Sequence, residues 1–166
     1  MKRTILVPLD GSEQAETVLP HAVAAARATN STLTLLQVVA SSSMLEMTVW
    51  PAGIPAGSML DSAEERRIGY AYLQTTASKL HDSGVEFATQ VLEGDPATEI
   101  VRYARDTGIR LIVMGTHGRT GVERLLMGSV AEKVMREAPC SVLVVKLPKG
   151  VPVPEPHQVA VASSPA

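Results

Sequence analysis

The sequence predicts an α/β fold: an open five-stranded parallel sheet with helices on both faces. Three observations carry this. Short apolar runs alternate with stretches of helical period, giving β-α-β-α-β-α-β-α-β along most of the chain. The runs lack the polar alternation of half-solvated strands, as expected of parallel strands covered on both faces. Connections of this length, each holding a helix, are what right-handed parallel crossovers require.

The first strand spans residues 4–9 and ends at Asp10-Gly11-Ser12. Ser12 is an N-cap residue type, and the helix after it places Ala15, Val18, Leu19, Ala22, Val23 and Ala26 on one face. Pro20 conflicts with that helix, since an interior proline costs about 3 kcal/mol, so a bend is expected there. Residues 32–39 form the second strand. Periodicity then fails over residues 40–61, which carry serines, glycines, Pro51, Pro55 and isolated Met44, Met47 and Trp50. So long a segment reads as a flexible insertion in a compact domain, with a lid as the alternative.

A capping-box pattern, Ser62 to Glu65, opens the next helix, with Tyr70, Leu73, Ala77 and Leu80 expected inward and Gly84 as its stop. The third strand spans residues 85–92. Asp95-Pro96 then supplies an N-cap with proline in the first turn, and Ala97, Ile100, Val101 and Ala104 form an apolar stripe closed by Gly108. The fourth strand covers residues 109–114. A glycine-rich loop with Gly115, Gly118, Gly121 and Gly128-Ser129 follows, leading into a helix with Val130, Ala131, Val134, Met135 and Ala138 on its apolar steps. Residues 141–145 are the fifth strand. From residue 147 onward, prolines at 148, 152, 154, 156 and 165 describe an extended tail outside the core. The organisation is one domain over residues 1–146 and a tail over 147–166.

Composition narrows the function classes. The chain has 166 residues, enough for one domain with a real core. A formal net charge of −2 argues against a nucleic-acid footprint or a polybasic membrane surface. Cys140 is the sole cysteine, which excludes an internal disulfide and suggests a small core filler. No stretch has the pattern of a secretion signal or the length of a membrane span, so a cytoplasmic protein is expected. His21, His81 and His157 lie apart without metal-ligand spacing, and no metal site is visible.

The strand ends are where the chemistry gathers. In open α/β sheets, ligands sit beyond the carboxyl ends of the strands, where the strand order reverses. With the order 3-2-1-4-5, the switch falls between the first and fourth strands, which end at Asp10 and Gly115. Glycines allow close backbone approach, and free N–H groups at a helix start favour an anion, so the loop after the fourth strand reads as a phosphate cradle. A purely structural reading stands beside it. Ser129 and Glu132 fit a capping box, Gly115 merely ends a strand, and Asp10 caps a helix.

Several nucleotide patterns are missing. There is no G-x-x-x-x-G-K-[ST], and no G-x-G-x-x-G follows the first strand. The end of the third strand holds Glu93-Gly94, not the aspartate of a receiver domain. The spacing Gly115-x2-Gly118-x9-Gly128-Ser129, with Val7-Pro8-Leu9-Asp10, resembles the ATP-binding branch of the universal stress protein family across about residues 2 to 146.

The resemblance implies a Rossmann-like sheet of order 3-2-1-4-5, of the adenine nucleotide alpha hydrolase-like kind, and a homodimer. It implies ATP as ligand, with or without Mg²⁺, and these roles. Asp10 meets the ribose hydroxyls, and the Val38 backbone meets adenine. Gly115, Gly118 and Gly128 let main-chain N–H groups wrap the phosphates. Ser129 adds its hydroxyl and Val130 its N–H. Pro8, Leu9 and Met114 line the base and ribose pocket. Apart from the resemblance, Arg119 and His117 lie in the loop within reach of a phosphate, with solvated cations as the alternative and Arg119 the stronger candidate.

Three functions follow as expectations. The first is a nucleotide-responsive stress regulator with little or no hydrolysis, since the cradle is mostly backbone and lacks a P-loop lysine. The second is a weak Mg²⁺-dependent ATPase, and the third a dimeric interaction module that binds no nucleotide. The fifth strand, Val142 to Val145, is uncharged until Lys146 and lies at the sheet edge, which predicts a two-fold dimer through it.

Overall fold

A computed structural model describes residues 3–39, 62–116 and 127–146. The expectations for residues 40–61, for His117, Gly118, Arg119 and Gly121, and for the tail lie outside these. Five parallel strands, β1 (Arg3–Pro8), β2 (Ser31–Val39), β3 (Phe87–Glu93), β4 (Leu111–Gly115) and β5 (Ser141–Val145), form one sheet of order β3-β2-β1-β4-β5. The expected order is therefore the observed one.

Each face of the sheet has its own core. On one, α1 (Glu13–Glu16), α2 (Leu19–Thr29) and α3 (Ser62–Ser78) pack Ala15, Val18, Ala22, Leu73 and Ala77 onto Ile5, Val7, Leu33 and Leu35. On the other, α4 (Pro96–Asp106) and α5 (Ser129–Glu137) pack Ala97, Ile100, Ala104, Ala131 and Val134 onto Leu6, Leu36 and Ile112. Alternation along each strand divides its side chains between these faces, which is why the runs read as continuously apolar.

The structure corrects several local expectations. The helix after Ser12 is interrupted at Thr17-Val18, which stay right-handed, and a second helix starts at Leu19. Pro20 thereby falls in a first turn, where its missing N–H leaves no bond unmade. Tyr70 is 39% exposed instead of inward-facing, and Met135 on α5 is 47% exposed. On α3 the inward face passes through Leu73, Thr76 and Ala77, with Leu80 buried just beyond its end. Ser62 is itself helical, so it is not the cap of α3. β3 starts two residues later than expected, and α3 ends at Ser78, so Gly84 closes a short 3-10 turn (His81–Ser83) instead of α3; Gly108 takes the left-handed conformation just past α4, as expected. Cys140 is half-buried against the α4/α5 core, and burial pushes its thiol up.

Candidate functional site

The carboxyl ends of β1 and β4 separate. These strands pair only at Ile5↔Leu111 and Leu6↔Ile112, although they continue to Pro8 and Gly115. The cause is readable in the backbone. Leu9 N–H donates to the Leu36 carbonyl at 2.8 Å, so residue 9 faces β2 and residue 8 faces β4. Pro8 has no N–H to offer β4, and the ladder stops there. A crevice opens at the point where strand order reverses, the place expected for a ligand.

The β1 side of the crevice is built from side chains. Gly11 takes a φ of 87°, which turns the chain sharply after Asp10. Asp10 Oδ1 accepts both the Ser12 N–H at 3.0 Å and the Ser12 hydroxyl at 2.6 Å. Ser12 Oγ in turn accepts the Ala15 N–H at 3.1 Å, so Ser12 caps α1 and Asp10 braces the cap. The reading of Asp10 as itself the cap is corrected. Its second oxygen, Oδ2, is buried and has no hydrogen-bond partner.

The β4 side is built from backbone. Thr116 N–H donates to the Val145 carbonyl at 3.0 Å, and Gly128 N–H donates to the Thr116 carbonyl at 2.6 Å. The chain thus leaves at Thr116 and returns beside it at Gly128. Gly128, extended with φ −73° and ψ 152°, is the N-cap of α5, and no side chain caps the helix. Ser129 is the first helical residue and is exposed, which overturns the capping box. The Gly128 N–H is committed to Thr116, so the amides left at the helix start are those of Ser129 and its successors.

The remaining predicted residues divide. The Leu36 carbonyl faces β1, and the Val39 carbonyl accepts from Gly94 N–H at 2.9 Å on the β3 side. Alternation therefore turns the backbone of Val38 toward β1, past the end of that strand. Pro8 and Gly115 are half-buried at the two strand ends. The side chains of Leu9 and Met114 are buried in opposite cores. Val130 is half-buried against the α4/α5 core.

Sequence reasoning missed two supports. Lys133 Nζ meets Asp95 Oδ1 at 3.0 Å and Thr98 Oγ1 at 2.9 Å, tying the second turn of α5 to the cap of α4. The Thr98 hydroxyl first, and Lys133 with it, hold the Asp95 carboxyl below its usual range. Tyr72, on α3, has a buried hydroxyl without a partner. Its signal was its place next to Leu73 and four residues before Thr76, on the inner side of the helix.

Comparisons with known proteins agree with this architecture. The profile described as the Universal stress protein family matches residues 1–146. Universal stress protein MJ0531 of Methanocaldococcus jannaschii is 38% identical over 149 residues, covering 89% of this chain and 84% of its own. The solved structure of MJ0577, from the same organism, has a TM-score of 0.71 at 29% identity, over 90% of this chain and 99% of that one. A universal stress protein from Archaeoglobus fulgidus, solved in complex with dAMP, has a TM-score of 0.61 over 88% of this chain and 98% of that one; at 20% identity the likeness concerns the fold. With its strand order, its divided β1–β4 crevice and these matches, the chain belongs to the universal stress protein family.

Proposed function

We propose that the chain binds an adenine nucleotide, with ATP as the ligand, and works as a nucleotide-responsive regulator with little or no hydrolysis. The observation that carries this is the pairing, at adjoining strand ends, of a helix start capped only by glycine with an unpartnered buried Asp10 oxygen. Uncapped amides and a helix dipole suit phosphate, and a carboxylate oxygen suits a sugar hydroxyl. A protein of this fold holds dAMP, which makes adenine nucleotides the first class to test.

In this reading Asp10 meets the ribose, and the Val38 backbone meets adenine. Ser129 and Val130 meet phosphate, with Gly115 and Gly128 keeping the approach open and Gly118 and Arg119 extending the cradle. Pro8, Leu9 and Met114 form walls. The groups described around the crevice orient and hold a nucleotide. They include no lysine set on the phosphate side to stabilise a transferring phosphoryl group. Where Mg²⁺ accompanies ATP, it supplies charge neutralisation of the phosphates. The binding unit is residues 1–146, and the protein works in the cytoplasm. No helix among the described residues is long and apolar enough to cross a membrane.

Calorimetric titration with ATP, with and without Mg²⁺, tests the proposal. Saturable binding of one nucleotide per chain with negligible ADP formation is expected; the absence of binding at millimolar ATP would refute it.

The homodimer belongs to the same reading. β5 is an edge strand, Leu143 on it is 41% exposed, and Val142, Val144 and Val145 are half-buried. A second copy pairing along β5 would cover this surface. Sedimentation of the full chain is expected to give a dimer, and Leu143→Glu a monomer; a monomeric wild type ends the proposal.

A further inference from the structure

Among the described residues, three buried side-chain atoms have no hydrogen-bond partner: Asp10 Oδ2, Gln37 Oε1 and the Tyr72 hydroxyl. Buried polar groups are nearly always paired, so each orphan wants a physical reason. All three lie on or beside the sheet face that α1 and α3 cover. Gln37 lies one residue beyond the Pro8↔Leu36 pair, beside the end of β1. Gly69, one turn before Tyr72 on α3, covers Gln37 so closely that an added Cβ would stand 3.2 Å from Oε1. Tyr72 itself packs against the core that holds Leu9 and Ala15.

The short helix α1 links Tyr72 to Asp10. Its cap, Ser12, is held by Asp10, and its last residue, Glu16, reaches the face of α3 one turn beyond Tyr72. There Thr76 Oγ1 is 3.4 Å from Glu16, and Lys79 pairs with the same carboxylate. The phenol is kept protonated: burial pushes it up, and the charges of Glu16 and Asp10 add to the effect. Thr76 and Glu16 also bear on the hydroxyl directly, Thr76 pulling it down and Glu16 pushing it up, but neither makes a hydrogen bond of ordinary geometry to it.

We infer that Tyr72 is a sugar-contacting residue, its hydroxyl and Asp10 Oδ2 together holding one hydroxyl of the bound nucleotide. The inference rests on the nucleotide reading above and adds to it a residue from a different element. The chemistry is complementary. A carboxylate oxygen accepts only, and a protonated phenol donates, whereas a sugar hydroxyl does both. The hydroxyl would donate to Asp10 Oδ2 and accept from Tyr72. Both protein atoms are closed to bulk water, so the ligand group enters with a small local opening and is then shielded.

The test is titration of wild type and Tyr72→Phe with ATP, 2′-deoxy-ATP and 3′-deoxy-ATP, alongside thermal melts without ligand. Phenylalanine keeps the packing and removes an unsatisfied hydroxyl, so the ligand-free variant is expected to melt at or above wild type. It should bind ATP about three- to tenfold more weakly, the range of one lost hydrogen bond. For one of the two deoxy analogues, which lack the contacted hydroxyl, wild type and variant should bind alike. A merely structural role would instead lower the melting temperature and leave that discrimination unchanged. Equal losses for all three ligands, or no loss for ATP, would overturn the role of Tyr72 and indicate a buried water in its place. Failure of wild type to bind ATP would overturn the nucleotide reading itself, a distinct result.

Discussion

The two walls of the crevice are made of different material. On the β1 wall, side chains present the chemistry: Asp10 braces Ser12 through one carboxylate oxygen and keeps the other, buried, without a partner. On the β4 wall, the main chain presents it: Thr116 and Gly128 are bonded to each other, and α5 starts without a side-chain cap. Side-chain chemistry can be removed one atom at a time. Backbone chemistry can be disturbed only by moving the element that carries it. The first wall should therefore respond to single substitutions with changed affinity, and the second through stability and placement.

The strongest challenge to this contrast strikes both walls together. Ile112 is fully buried, and its partner Leu6 is the last β1 residue paired to β4. Ile112→Ala should cost about 2–5 kcal/mol in urea unfolding. Ligand affinity should fall with it, as both strand ends lose their common support.

Asp10→Ala removes both the free oxygen and the brace on Ser12, so it should lower affinity and, more modestly, stability. Loss of a charged hydrogen-bonding group should weaken ATP binding about ten- to a hundredfold by calorimetry. Ser12→Ala is its control on the same wall. It should cost about 1 kcal/mol of stability through the lost cap. Its effect on affinity should be smaller than that of Asp10→Ala, since Oδ2 stays in place; an equal effect would show that the brace, not Asp10 Oδ2, matters.

Lys133→Met gives the smallest effect, on the backbone wall. The Lys133–Asp95 pair is partly exposed, so the change should cost at most about 1 kcal/mol. Its pH dependence has a definite sign. Asp95 has a folded-state pKa below its ordinary 3.8, so its contribution is present above that value and lost as pH falls through the lowered one. Denaturation curves between pH 7 and 2 should show the gap between wild type and variant closing below about pH 4. The Thr98 hydroxyl remains in the variant, so part of the acid dependence should persist.

The same division governs what could be read beforehand. The sheet order followed from alternating periodicities and crossover rules, and the stripe Ala97, Ile100, Val101 and Ala104 is buried as its spacing required. Asp10 was visible because a carboxylate after an apolar run is conspicuous. The partners that fix it were less so. Ser12 looked like a cap, but nothing in its position said that Asp10 would hold its hydroxyl. Tyr70 was placed inward and Tyr72 overlooked because both flank an apolar step, and only packing on β2 and β3 sets the helix rotation. On the other wall, Ser129 carries the stronger capping residue, yet Gly128 takes the cap position. That outcome is set by the bond from its N–H to Thr116, a tertiary contact that local pattern does not encode.

Pro8 has a consequence for evolution and design alike. A residue with an amide hydrogen at this position would let β1 zip one step further onto β4 and narrow the gap between them. The missing amide of one ring thus favours an end to β1–β4 pairing that needs no ligand to keep it. Such preorganisation spares a ligand the work of prying two strands apart, and it leaves neighbouring side chains free to vary with whatever the site is asked to hold.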